Sequence, residues 1–279
     1  MTTHVYVHGG VSSRAGTTAP SLSHVLDEMQ PATTALDAVE LAVRALEDDG
    51  RLNAGWGSVL TSAGRIELDA SIADVTGGFA GVVGVAVRHP ITLARRVLEQ
   101  TPHVLMAGDG AMAVGRDLER LDDTTPEQWE RWRRSLAADA RRGGPGQGDT
   151  VGAVALDAEG LLAAGSSTGG VFGKLPGRVG DSPIFGAGTY VCPGAAVVGT
   201  GIGELFLETL AALRCGDLIE AGEHPQRACE RVVSGLGNRS DGAAGLLALD
   251  ARGRVGAAYR GESLAVEGPS GPLHAVRLG

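Results

Sequence analysis

Between Arg141 and Asp149 the chain reads R-R-G-G-P-G-Q-G-D, and at Thr150 it passes at once into the apolar run Val151-Gly152-Ala153-Val154-Ala155-Leu156. A stretch of glycine, proline and polar residues with no large apolar side chain has nothing to bury, so it reads as a flexible linker. The run after it reads as a buried strand. The linker ends abruptly at Asp149-Thr150, and a strand begins at once.

Local signals place elements on both sides of the break. His4 to His8 alternates and then meets Gly9-Gly10, which predicts a strand ending in a glycine turn. Thr34 with Asp37 three residues on resembles a capping box. Leu36, Val39, Val43 and Leu46 follow at helical spacing, so an amphipathic helix is expected over 35–48. A hairpin is expected over 57–69, with arms Ser58–Thr61 and Arg65–Asp69 about Ser62-Ala63-Gly64. Val82–Val87 and His103–Ala107 read as strands, and Pro90 opens a helix. Pro126 to Arg142, with Trp129 and Trp132, reads as a charged helix with one apolar face. Beyond the linker, Val151–Leu156 and Leu161–Ser166 form a hairpin about Asp157–Gly160. Ala195–Gly199 is a strand, followed by helices over Gly203–Arg214 and Pro225–Val233. Ala244–Leu249 and Arg254–Tyr259 form another hairpin. Hairpins outnumber βαβ units, so antiparallel sheets covered by helices are expected.

Composition excludes several function classes. The chain has 279 residues, 43% hydrophobic and 20% charged, which suffices for a buried core. Aromatics are only 4%, so small aliphatic side chains must do the packing. A net charge of −9, with Lys174 the only lysine, argues against a nucleic-acid partner. No basic-then-apolar leader opens the chain, and no stretch approaches the ~20 apolar residues of a membrane span, so a cytoplasmic protein with no membrane partner is expected. Cys192, Cys215 and Cys229 match no zinc spacing and read as free thiols.

Phosphate-loop, nucleophile-elbow and zinc-helix motifs are missing. Gly199-Thr200-Gly201-Ile202-Gly203 follows an apolar strand but lacks the dinucleotide-loop spacing. Its free N–H groups could still stabilise an oxyanion. Read alone, Thr150 is a threonine chosen for β-propensity. Read as a processing site, it becomes an N-terminal residue with hydroxyl and amine on adjacent atoms. An α-amine with a pKa of about 7.7–8.0 can take the hydroxyl proton near neutral pH without a histidine.

The run Gly148-Asp149-Thr150-Val151-Gly152-Ala153-Val154-Ala155-Leu156-Asp157 resembles the nucleophile segment of the plant-type asparaginase, isoaspartyl peptidase and glycosylasparaginase family. Ser167-Thr168-Gly169-Gly170, the Gly177-to-Pro183 run G-R-V-G-D-S-P, Gly186-Ala187-Gly188-Thr189-Tyr190 and Thr200-Gly201-Ile202-Gly203-Glu204 are similar to that family in order and spacing. So are Val7-His8-Gly9-Gly10, Asn53-Ala54-Gly55-Trp56-Gly57-Ser58 and Thr101–Leu105.

The resemblance implies an α+β, four-layer αββα Ntn-hydrolase fold, formed as one domain over 1–279. It implies self-cleavage between Asp149 and Thr150 into an α part, 1–149, and a β part, 150–279. Thr150 would then be the nucleophile, with Thr168 positioning it and Thr200 with Gly201 forming the oxyanion hole. Arg178 would grip a substrate α-carboxylate, Asp181 its α-ammonium, and Asn53 would support the nucleophile's amine region. The implied substrates are β-aspartyl dipeptides and L-asparagine, with no cofactor and no catalytic metal. A homodimer of processed αβ units and a structural sodium ion near the segment before Asn53 are also implied.

Plainer readings stand beside these. Thr168 could be a strand threonine, Asn53 a turn cap, and Arg178 with Asp181 a surface ion pair. His8, Glu67 and Asp69 read as structural residues, and Trp129 and Trp132 as packing for the linker helix or a subunit contact. The Asp before Thr150 is a glycosylasparaginase feature, whereas Ser167-Thr168-Gly169-Gly170 leans towards asparaginases. The opening turn Val11-Ser12-Ser13 and the tail Tyr259–Leu264 depart from the family pattern, which leaves substrate choice open. A glycosylasparaginase-like or specialised aspartyl-amide hydrolase, and an unprocessed, non-catalytic binding homologue, are the rival readings.

Overall fold

The computed structural model describes residues 3–12, 16, 18–27, 32–137, 150–237 and 242–278. Before the break the elements are β1 (His4–Ser12), α1 (Ser23–Asp27), α2 (Ala35–Asp48), a 3-10 turn at Gly55–Gly57, β2 (Leu68–Asp74), β3 (Gly78–Val85), α3 (Pro90–Gln100), β4 (Leu105–Ala107), α4 (Gly108–Val114) and α5 (Pro126–Ala137). After it come β5 (Val151–Leu156), β6 (Leu162–Thr168), β7 (Thr189–Cys192), β8 (Ala195–Gly201), α6 (Gly203–Thr209), α7 (Ala211–Glu220), α8 (Pro225–Gly235), β9 (Ala244–Asp250), β10 (Val255–Arg260), β11 (Ser263–Gly268), β12 (Gly271–Pro272) and β13 (Val276–Arg277). The expected linker 141–149, with Asp149, lies outside the described residues, as does the stretch expected to carry α5 on to Arg142.

Two sheets gather these strands. One has the order β12-β11-β1-β5-β6-β2-β3-β4 and the other β13-β10-β9-β8-β7. Every neighbouring pair is antiparallel except β3–β4 and β10–β13. The strand that begins beside Thr150 therefore sits inside the larger sheet, bonded on both sides by β1 and β6.

Burial follows the pleat. Val151 and Ala153 of β5 enter a core with Val39, Val43 and Leu46 of α2 and Ile91 and Val97 of α3. Val154 and Leu156, on the opposite face, join Val198, Leu247 and Leu249 of the second sheet. That sheet's other face, with Val197, Leu246 and Ala248, meets Ala212 and Cys215 of α7 and Cys229 and Val233 of α8. Because alternate residues enter different cores, β5 has no polar face, which explains its unbroken apolar sequence. Full burial of a valine or leucine contributes about 1.5–3 kcal/mol. The scarcity of aromatics makes these small side chains carry that stabilisation.

The α2 boundaries match the sequence expectation, and the Thr34 hydroxyl accepts the Asp37 N–H at 3.1 Å as its cap. Asp157, in the β5–β6 turn, also accepts the Ala35 N–H at 3.1 Å, tying the two halves of the chain together.

Several local expectations are corrected. Strand β1 does not stop at Gly9-Gly10; it continues to Ser12 through an irregularity between His8 and Val11, because β11 pairs with Val11 and Ser12 beyond the glycines, whereas the β5 pairing ends at His8. The turn at 62–64 forms, but Ser58–Thr61 is not a strand arm. Strand β2 pairs with β3 and β6 instead, through a hairpin turn at Val75–Gly77 that sequence patterning overlooked. Strand β3 accordingly ends at Val85 instead of Val87. The single helix expected over Gly203–Arg214 is two helices, broken at Leu210 with φ +51°. The first N–H groups of α7 bond outward, Ala212 to Ala187 O at 3.1 Å and Leu213 to Gly186 O at 2.8 Å, so a continuous helix is not needed to satisfy them.

Candidate active site

The ends of three strands carry the hydroxyls singled out in the sequence. Val151 pairs with Ser167, so Thr150 at the head of β5 comes opposite Thr168 at the end of β6. Thr150 is buried, at 3% exposure. Its hydroxyl donates to Thr168 Oγ1 at 3.2 Å, and Thr168 Oγ1 also accepts the Gly170 N–H at 2.9 Å. Asn53 fastens the turn beyond Thr168. Its side chain donates to Gly170 O at 2.7 Å and accepts from Val59 N at 2.9 Å, while its own carbonyl accepts from Gly169 N at 3.0 Å. The structure thus places Asn53 on the Thr168 turn.

Thr200 and Gly201 end β8 in the second sheet. The Thr200 oxygen accepts the Val11 N–H at 3.3 Å, which leaves the Thr200 proton available to a ligand. Gly201 has φ +134°, and a Cβ there would collide with the Ala243 carbonyl, so only glycine fits.

Charged groups form the neighbouring wall. Arg178 is not paired with Asp181 on the surface. Its guanidinium donates twice to Glu204, at 3.0 and 2.8 Å, and Asp181 is buried. Both groups converge on Gly203, where a Cβ would stand 2.8 Å from Asp181 Oδ1 and 3.0 Å from the Arg178 guanidinium. Burial pushes the Asp181 carboxyl up to about 6, with Arg178 opposing and Glu204 and Asp69 adding to the rise. Behind this wall lies a pair that sequence reading treated as background. Lys174 and Asp69 side chains are each 1% exposed and 3.9 Å apart. Burial lowers the Lys174 pKa and raises that of Asp69, and the opposite charge partly offsets each shift. Lys174 also donates to Glu67 O at 2.8 Å, and the Glu67 carboxylate accepts from Gly177 N at 2.8 Å. Glu67 and Asp69 therefore brace the loop that carries Arg178, in keeping with a structural reading.

Sequence reasoning left three participants without roles: Glu204, Lys174 and Ser182. Glu204 and Ser182 lie inside the family-like motifs, and the isolation of Lys174 as the chain's only lysine was the available signal. His8 is buried, and desolvation pushes its pKa down to about 3, opposed in part by the Thr150 backbone. It stays neutral at physiological pH. Trp132 donates to Thr61 O at 3.1 Å and Gln128 to Gly57 O at 3.2 Å, so α5 is fastened to the segment after Asn53.

Among the described residues no group of three or more His, Cys, Asp or Glu side chains could hold a metal ion. The carbonyl oxygens of Glu47, Gly50 and Leu52 crowd the positions where side chains on Gly55 and Gly57 would begin. They are neutral oxygen donors, the chemistry a hard cation takes. The three cysteines are free and buried, and no helix among the described residues is long and apolar enough to cross a membrane.

A family model described as asparaginase matches residues 13–269. A plant-type L-asparaginase from Thermococcus kodakarensis is 42% identical over 246 residues, covering 80% of this chain and 79% of its own length. An isoaspartyl peptidase from Salmonella typhimurium is 42% identical over 253 residues, covering 85% and 81%. An isoaspartyl peptidase/L-asparaginase from Rattus norvegicus is 36% identical over 272 residues, covering 89% and 80%. With matches of this extent, the chain belongs to the asparaginase family of hydrolases.

Proposed function

We propose that this chain is an autoprocessing amidohydrolase that cleaves β-aspartyl peptides and L-asparagine, with Thr150 as its N-terminal nucleophile. The observation that carries this reading is the buried Thr150 hydroxyl, bonded to Thr168 at the head of an internal strand directly after the 141–149 segment. Self-cleavage begins when Thr150 Oγ bonds to the Asp149 carbonyl carbon and the Asp149–Thr150 C–N bond breaks, the hydroxyl proton passing to the released Thr150 nitrogen. The resulting ester is hydrolysed, leaving 1–149 and 150–279 as the two parts of one domain. Strand pairs β1–β5 and β2–β6 join the parts across the cut.

In turnover the freed α-amine takes the Oγ proton while Oγ bonds to the substrate's side-chain carbonyl carbon. The carbonyl electron pair moves to oxygen, where the Thr200 hydroxyl and Gly201 N–H stabilise it. The amine leaving group departs with the proton, and water then releases aspartate from the acyl ester. Arg178, aligned by Glu204, holds the substrate α-carboxylate, and Asp181 holds the α-ammonium. Asn53 acts through the turn after Thr168, and a sodium ion held by the carbonyls of Glu47, Gly50 and Leu52 would stiffen its approach.

The three cores support a four-layer αββα sandwich, with α2 and α3 outside the larger sheet and α7 and α8 outside the smaller. Exposed Leu105 and Phe185, with the Phe79 ring 5.1 Å from that of Phe185, support a homodimer of processed units, to be read by sedimentation.

Intact mass and N-terminal sequencing after incubation at neutral pH, beside Thr150→Ala, test the cleavage. A fragment beginning Thr-Val-Gly is expected. Aspartate release from β-aspartyl dipeptides and L-asparagine then tests the substrate. A cleaved protein that releases aspartate from neither compound, and instead cuts a glycosylated asparagine, overturns the substrate assignment.

A further inference from the structure

A second hydroxyl, besides that of Thr168, reaches the oxygen assigned to the nucleophile. Ser182 is fully buried, and its Oγ–H donates to Thr150 Oγ1 at 3.5 Å. Thr150 directs its own proton to Thr168, so the bonds run in one direction, from Ser182 through Thr150 to Thr168. Adjacent residues of one loop thus serve opposite sides of the site, Asp181 on the charged wall and Ser182 at the nucleophile.

The backbone of Ser182 is held with unusual care. Its carbonyl accepts from Ser71 at 2.5 Å, from Ser166 at 3.2 Å and from Thr189 at 3.5 Å. Ser71 and Ser166 each also lie 2.9 Å from Thr189 Oγ1. These hydroxyls come from β2, β6 and β7, and all three residues are fully buried. Burying a hydroxyl is unfavourable unless it is bonded, and a carbonyl has only two lone pairs for three donors. Satisfying one carbonyl does not require three strands; fixing its position in three dimensions does.

We propose that Ser182 is a catalytic residue that donates a hydrogen bond to Thr150 Oγ as that atom loses its proton, and that Ser71, Ser166 and Thr189 are the positioning residues that hold it there. The inference rests on Thr150 being the nucleophile. At 3.5 Å the bond is long for O–H···O, and catalytic hydrogen bonds of this kind tighten once charge develops. A donor to the charged form favours that form. Ser182 keeps its proton throughout. The Thr150 proton goes to the α-amine, the Oγ–C bond forms, and the carbonyl pair moves to oxygen.

The test uses the full chain carrying Ser182→Ala, followed by intact mass for the cut at Thr150 and then by kinetics on a β-aspartyl dipeptide. Expected is a kcat about 100-fold lower, the lower end of the loss for one preorganised donor, with slower self-cleavage as well. KM should stay within about twofold, the signature of an interaction made in the transition state. The acid limb of the pH profile should not move, because it reports the α-amine. Ser182→Cys, of similar size and with a weaker donor, should fall between parent and alanine. Parent-like kcat and cleavage in Ser182→Ala overturn the proposal. So does a loss shared equally by kcat, KM and Tm that Ser182→Cys does not lessen. Self-cleavage needs no substrate, so a parent that cuts itself yet ignores aspartyl compounds overturns only the substrate reading, and its cleavage rate still decides the role of Ser182.

Discussion

Around Thr150 the site is lined by neutral hydroxyls, whereas around Arg178 it is lined by ions. Thr150, Thr168, Ser182, Ser71, Ser166 and Thr189 satisfy one another at close range. Their placement depends on geometry, and neither salt nor pH near neutrality should disturb it. The opposite wall has Arg178 on Glu204, a buried Asp181, and Lys174 beside Asp69 beneath. Burial works against the charged form of Asp181, Asp69 and Lys174. That wall sacrifices stability to hold the charged ends of a substrate, while the hydroxyl side holds a reactive atom in place at little electrostatic cost.

Substitutions should separate the two sides. The largest effect is expected from Thr150→Ala, which should abolish self-cleavage and lower kcat by at least about 10⁴-fold, read by mass and by aspartate release.

Asp181→Asn comes next. It should reduce kcat/KM on β-aspartyl dipeptides by roughly 100-fold, the scale of removing a buried charge partner. Its stability effect has the opposite sign. The folded pKa of about 6 lies above the ordinary 3.8, so folding favours the protonated form. Stability from this group is therefore highest at low pH and declines as pH rises through that window. Asparagine removes the penalty, so Tm should rise at pH 8 and change little at pH 4. In the parent, substrate affinity should weaken as pH falls below about 6, which a pH series of KM checks.

Lys174→Met strands Asp69 without its cation and should cost about 3–5 kcal/mol in chemical denaturation. Adding Asp69→Asn should restore part of that. Smallest is Thr189→Val, expected to cost roughly 1 kcal/mol and to lower kcat less than Ser182→Ala does, with KM unchanged. A large KM effect from Thr189→Val, or an effect of Lys174→Met confined to kcat, would break the division between the two sides.

Elements set by neighbours along the chain are legible in the amino-acid sequence itself. Thr34 and the spacing of Val39, Val43 and Leu46 locate α2; Pro90 and Pro225 mark the starts of α3 and α8; glycine turns mark the β5–β6 and β9–β10 hairpins. Capping, proline geometry and side-chain periodicity act within a few residues, so the chain carries them openly. Thr150 at a strand head belongs to the same class. What needed the tertiary structure was every feature whose partner is remote. Strand β1 passes its glycines because β11 pairs with Val11 and Ser12 beyond them, and the helix after Gly203 breaks at Leu210 because the loop at 186–187 supplies acceptors for α7. Glu204 aligns Arg178 across 26 positions, Lys174 reaches Asp69, and Ser71, at 111 positions' distance, holds the carbonyl of Ser182. A hydroxyl or a carboxylate shows in a sequence only as a residue type; which atom it faces is decided when separate strands are brought together and their buried polar groups must find partners.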